Sequence, residues 1–376
     1  MRASRVLVHL DLFRENIRAL RKRVGEGPKI CVPVKADAYG HGALPIARSA
    51  LEAGAEYLAV AYVQEGAELR AAGIEAPVLL LSQPLEEEYQ ELISLDLIPL
   101  VSDPLFAGDL ARAARAAGKK LTVHLKIDSG MGRAGCRPAE AAGLAACIAS
   151  AGQLRLGGIA THLAVSDSPE PEDLAYTRVQ LARFREAVDS IKASGIDPGI
   201  VHAANSGALV FHGDSWFHMV RPGILLYGYS PAGSGGPVPV KPVMELRSAV
   251  TLIKSLRRGE TVSYGRTWAA PEDTLIGTIP LGYADGLRRA LSGKWRVSIG
   301  GRSYPLVGRI CMDQCMVNLG SGEDRIRSGD EVIVFGGQAE GTGDAARMAE
   351  ALGTIPYEIT CGIGKRVPRV YTGLAR

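Results

Sequence analysis

The feature that most constrains the fold is an alternation. Through the first two-thirds of the chain, short β-branched runs are each followed by a longer Ala/Leu/Arg-rich amphipathic or turn segment. The strand candidates are KICVPVKA near residue 30, YLAVAYV near 58, PVLLLSQ near 77 and LIPLVSD near 97, then LTVHLKID near 121, LGGIATHLA near 156, GIVHAANS near 199 and FHMVRPGILLYG near 217. Segments such as GALPIARSALEAG and DLAYTRVQLARFREAVDSIKASG supply the helices between them. Repeated βα units build a parallel sheet, and about eight of them close a (β/α)8 barrel of the TIM type.

The texture changes after residue 228. YSPAGSGGPVPVKP has the composition of a linker, and beyond it TLIGTIPLGY, WRVSIGGRSYPLVGRI, CMVNL and EVIVFGG are short strands between turn signals. Only DAARMAEALG and its neighbourhood have a helical pattern there. The expected organisation is a barrel over 1–230 and a mostly β domain over 231–376. The opening VLVHLDL is strand-like and precedes the barrel pattern, so it is a candidate to pair with the second domain. A length of 376 residues suits one large and one smaller domain.

Composition narrows the function classes. A formal charge of +3 is spread without a long basic block, which gives no support for nucleic-acid or membrane-surface binding. The N-terminus reaches Asp11 after a short apolar run and lacks the pattern of a secretory signal, and no stretch is apolar enough to span a bilayer. Of the six cysteines only Cys311 and Cys315 are close, without the flanking ligands of a zinc site, so the expectation is reduced thiols in a cytoplasm and no metal.

In a (β/α)8 barrel the reacting groups gather where strands end, on the C-terminal face. Lys35 falls at the end of the first strand candidate, Arg133 in the loop after the fifth, His162 at the end of the sixth, Asn205 and Ser206 at the end of the seventh, and Arg221 in the eighth. A lysine at the end of an apolar strand must find a partner or lose its proton, and a neutral amine there can form a Schiff base with a carbonyl cofactor. The loops after strands seven and eight are the usual phosphate site of the fold, and Ser206 and Gly223 lie there. Singly, each residue reads equally well as a capped or salt-bridged rim side chain. Their convergence on one rim is the signal.

VKADAYGHG resembles the pyridoxal-phosphate (PLP) attachment signature of the alanine racemases. KIDSGMGRAG, THLA, HAANSGA, VRPGILLYG, VSYGRTW, LGYADG, GRICMDQ and PYEITCGIGKRVPRVY are similar to that family in the same order, through nearly the whole chain. Asp37 stands where many members carry Asn. The resemblance implies a homodimer with shared active sites that interconverts L- and D-alanine by two-base proton transfer. Lys35 would hold PLP and act as base on one face, and Tyr264 of the partner subunit would be the base on the other. Tyr39, Ser206, Gly223, Ile224 and Tyr357 would bind the phosphate, Arg221 would bond the pyridine nitrogen, and His162 would lie between Arg221 and Tyr264. Arg133 and the backbone of Met312 would hold the substrate carboxylate, and Lys126 matches a lysine often carbamylated in the family. Read alone, Lys126 is a lysine paired with Asp128 or Arg133, and Tyr264 a packed interface tyrosine. The alternatives are a serine racemase, a decarboxylase of the same fold and a PLP-carrier barrel. The decarboxylase's catalytic Cys–Asp motif is not found here, and the carrier resembles the barrel alone. The product would supply peptidoglycan synthesis.

Overall fold

The computed structural model describes residues 2–233, 236–322, 326–336 and 342–374. Ser234 and Gly235 of the expected linker, and Gly337 at the end of EVIVFGG, lie outside them. Two compact units divide the chain: Phe13–Ala38 with Ala43–Val240, and Met1–Leu12 with Tyr39–Gly42 and Lys241–Arg376.

The first unit is built on eight short parallel strands: Lys29–Pro33, Tyr57–Val60, Val78–Leu80, Ile98–Val101, Leu121–Lys126, Leu154–Ala160, Ile200–His202 and Met219–Val220. Most are buried along nearly their whole length, as a parallel sheet covered by helices requires. The first seven strands pair in order, the eighth pairs with the first, and the seventh and eighth, which form no ladder, are linked by the backbone bonds His218 N to Val201 O and Arg221 N to Ala204 O beside them. Cys31, Ala59, Leu79, Ile98 and Met219, contributed by five of these strand regions, pack into one apolar cluster. The covering helices carry ordinary start signals. Pro104–Ala116 has Pro104 in its first turn, and the Asp103 carboxylate accepts from Phe106 N.

The second unit contains a nine-stranded mixed sheet. Its strand Arg5–His9 lies antiparallel to Met244–Ala249 and parallel to Arg369–Thr372. Val6 and Val8 are buried while Arg5 and His9 are not, the alternation of a strand packed on one face. Among the described residues, no helix is long and apolar enough to cross a membrane.

Candidate active site

The first barrel strand ends at Pro33, and the backbone after Lys35 is irregular. Ala36, Asp37, Ala38 and Tyr39 all have φ between 52° and 55°, and Gly40 has a φ of 82°: one turn of left-handed helix. For L-residues this conformation costs about 1–2 kcal/mol each, so the four together cost roughly 4–8 kcal/mol. Specific bonds hold the turn. Ala38 N donates to Val34 O (2.8 Å), Ala36 N to Glu65 Oε1 (2.7 Å) and Ala43 N to Asp37 Oδ1 (2.7 Å). Lys35, half-buried, stands at the head of this braced turn.

Opposite strand ends supply a buried cation. Arg221 is 7% exposed, and its partners are all neutral acceptors: Thr161 O (2.7 Å), Ala203 O (3.0 Å) and His202 Nδ1 (2.6 Å), with His162 Nδ1 at 3.5 Å. Burial lowers its pKa to about 10, which still leaves it charged near neutrality. Because a guanidinium only donates, His202 Nδ1 must accept, which puts the His202 proton on Nε2. That atom lies 2.8 Å from His124 Nδ1 and donates to it, so His124 is also protonated on Nε2. Burial and the Arg221 charge keep both rings neutral, pushing His124 down to about 3 and His202 well below the ordinary range. His162 is lowered by burial, then by Arg221, Lys126, Arg133 and Lys35, which marks this end of the barrel as strongly cationic.

The two buried histidines make acid lability a testable property. Unfolded histidine has a pKa of about 6.5, so below that pH the unfolded chain takes up protons that the folded chain refuses. Stability should therefore fall as pH drops from about 6.5 toward the folded values, by about 1.4 kcal/mol per pH unit for each histidine. Melting temperatures measured from pH 7.5 to 5 should drop steeply, and less steeply in His124→Gln. An identical slope in that variant would contradict the assignment.

Lys126 differs from the pairing expected of it. The fifth strand ends at this residue, and Nζ donates to Ile127 O at 3.0 Å. The Asp128 carboxylate is engaged elsewhere, accepting from the N–H groups of Gly130, Met131 and Gly132 in the loop that carries Arg133. Burial first, and Arg221 second, push Lys126 down to about 7. Arg133 is exposed on that loop. Ser206, at the start of the short helix Ser206–Phe211, accepts from Gly223 N (2.9 Å) and Leu225 N (3.3 Å), which ties together the loops after strands seven and eight on either side of Ile224.

The second unit holds the remaining predicted residues. Tyr39 and Tyr357 are ring neighbours, with centroids 5.6 Å apart. Tyr264 is 69% exposed on a tight turn. The Met312 side chain is 53% exposed. Met312 O accepts from Ala284 N, and among the described residues nothing accepts from the Met312 N–H. Asp313 bonds Arg366 Nη2 at 2.6 Å.

Sequence reasoning missed His124, His202 and Glu65, and it missed the left-handed turn. No local pattern announces them, since each acts through a partner far along the chain.

A nearly closed parallel barrel with a lysine, a buried arginine and a helix-start serine gathered at its strand ends has the architecture of a barrel enzyme with its polar groups on one rim. Comparison with known proteins narrows the class. The sequence matches the family model for the alanine racemase N-terminal domain over residues 8–231 and that for the C-terminal domain over 243–371. It is 48% identical to an alanine racemase of Treponema denticola, over 99% of this chain and 98% of that protein. The fold superposes on the crystal structure of an alanine racemase from D-cycloserine-producing Streptomyces lavendulae, with a TM-score of 0.92 and 38% identity over 100% of this chain and 98% of that one. A second match is the Bacillus anthracis alanine racemase solved with bound L-Ala-P, with a TM-score of 0.91 and 34% identity over 99% of this chain and 95% of that one. The chain belongs to the alanine racemase family and is an amino-acid racemase; the decarboxylase and carrier alternatives fall away.

Proposed function

We propose that this racemase binds pyridoxal phosphate on Lys35 in the barrel unit (Phe13–Ala38 with Ala43–Val240) and uses Lys35 and Tyr264 as its two bases, Tyr264 being supplied by the second unit of a partner subunit in a homodimer. The observation that carries the cofactor assignment is the donor set at the barrel mouth. A buried guanidinium bonded only to neutral acceptors, with Lys35, Lys126 and Arg133 adding positive charge around His162, favours an anionic group that also presents a neutral acceptor. The residues present fit PLP.

When bound, PLP supplies the electron sink that makes an amino-acid α-proton removable. The chain supplies geometry and proton carriers. Lys35 Nζ takes or returns the proton on one face, and the Tyr264 phenol does so on the other, so no single group has to swing around the substrate. Arg221 keeps its own protons and would offer a hydrogen bond to the cofactor's ring nitrogen, while His202 and His124 fix its orientation. Ser206, Gly223, Ile224, Tyr39 and Tyr357 would hold the phosphate. Arg133 and the Met312 N–H receive the substrate carboxylate, a role consistent with an amide that has no other acceptor among the described residues. Lys126, held near half-neutral at pH 7, is suited to carbamylation, and a carbamate 13C signal from labelled bicarbonate would show it. By the same reading the enzyme is cytoplasmic and its D-alanine product feeds peptidoglycan synthesis.

The deciding measurement is racemisation after reconstitution. Saturable PLP uptake with interconversion of L- and D-alanine, faster than that of serine, is the expected result. Uptake without loss of the alanine α-proton to solvent would overturn the assignment.

A further inference from the structure

Tyr264 stands on a turn that is strained at its first residue. Ser263 has φ 66° and ψ −176°, with Gly265 at φ 72° and Arg266 at φ 51° beyond it. The Ser263 combination belongs to a region of backbone space that is essentially glycine's alone, yet serine occupies it. Its hydroxyl has a definite partner: Oγ donates to Arg309 O at 2.6 Å and lies 3.5 Å from Cys311 Sγ.

The segment that receives this bond also carries Met312. Gly308, at φ 65°, lets it approach the turn, since a Cβ there would come within 2.7 Å of Val262 O and 2.9 Å of the Ser263 Cβ. From the other side, Tyr283 N and Ala284 N donate to Cys311 O and Met312 O, both at 3.0 Å. Arg366 closes the brace by bonding the fully buried Asp285 and the exposed Asp313, each at 2.6 Å. The phenol of Tyr264 and the amide of Met312 are thus carried by one braced segment, and the link between them is the Ser263 hydroxyl.

We propose that Ser263 is a positioning residue for the Tyr264 base: its hydroxyl, anchored on Arg309 O, holds the turn in a conformation it would not otherwise keep and fixes where the phenol points. The proposal rests on Tyr264 being a base, so the test separates the two ideas. Ser263→Ala keeps the strained backbone and loses the anchor, whereas Ser263→Gly loses the anchor and relaxes the backbone. Melting of the PLP-loaded protein should therefore order wild type above Ser263→Gly and Ser263→Gly above Ser263→Ala. Both variants should lose about tenfold to a hundredfold in kcat, the scale of a misplaced reacting group, with KM changed little.

The readout that a merely structural lesion would not give is isotopic. In D2O, the alanine enantiomer whose α-hydrogen faces Lys35 should exchange faster than it inverts in both variants, because Lys35 still takes the proton and returns deuterium to the same face. Tyr264→Phe should show the same partition. If Tyr264→Phe keeps wild-type partition, the phenol is not a base and the positioning role falls with it. If Tyr264→Phe shows the partition but the Ser263 variants do not, or if Ser263→Ala melts no lower than Ser263→Gly, the role assigned to Ser263 is wrong while Tyr264 stands.

Discussion

Lys35→Ala is expected to lower racemisation by at least about 10³-fold and to abolish the absorbance of lysine-linked cofactor, with the fold retained. The size reflects the loss of both roles proposed for Lys35 at once. General-base catalysis alone contributes about 10²–10⁴-fold, and the covalent attachment point disappears with the same atom. Retention of the fold is expected because the strain downstream is held by other groups. The left-handed turn is tied by Val34 O, Glu65 and Asp37, none of which uses the Lys35 side chain. Circular dichroism and melting curves matching wild type, together with lost activity, are the expected pair. A primary amine added to the medium should restore part of the lost rate. Activity within about tenfold of wild type would remove Lys35 from the chemistry.

The barrel was legible because its strands are buried on both faces and so read as continuous apolar runs, each stopped by a polar or glycine-bearing loop. The rim residues were legible for a related reason: a lysine or arginine at the end of such a run is chemically conspicuous. The features hidden from a linear reading are held together by long-range partners. Alanine and tyrosine have no preference for positive φ, so nothing in VKADAYG foretells a left-handed turn; it exists because Glu65, 29 residues after Ala36, accepts its amide. His124 and His202 are 78 residues apart and meet only once the barrel brings their strands together. Lys126 and Asp128 have the spacing of a pair on one strand face, but the strand stops at Lys126, and the carboxylate turns to three loop amides. Tyr264 carried meaning only through the motif around it, since one exposed tyrosine on a turn fits many roles.

The proposal that each active site is shared between two subunits predicts the second large effect, and mixing subunits tests it without disturbing the geometry of either base. Tyr264→Phe alone should cost about 10²–10⁴-fold, the usual worth of a general acid–base group, while leaving cofactor uptake intact. Mixed with Lys35→Ala in equal amounts and allowed to exchange subunits, the two inactive proteins should regain about a quarter of wild-type activity. Half of the dimers are hybrids under random pairing, and each hybrid has one site with both bases and one with neither. The exposure of Tyr264 on its own chain is what makes this arrangement physically reasonable, because an apolar ring left in water gains by entering another subunit's site. The recovered activity should disappear on dilution below the dimer dissociation constant and return on concentration. Hybrid dimers shown by mass to have formed, yet with no recovered activity, would mean that each site draws both its bases from one chain.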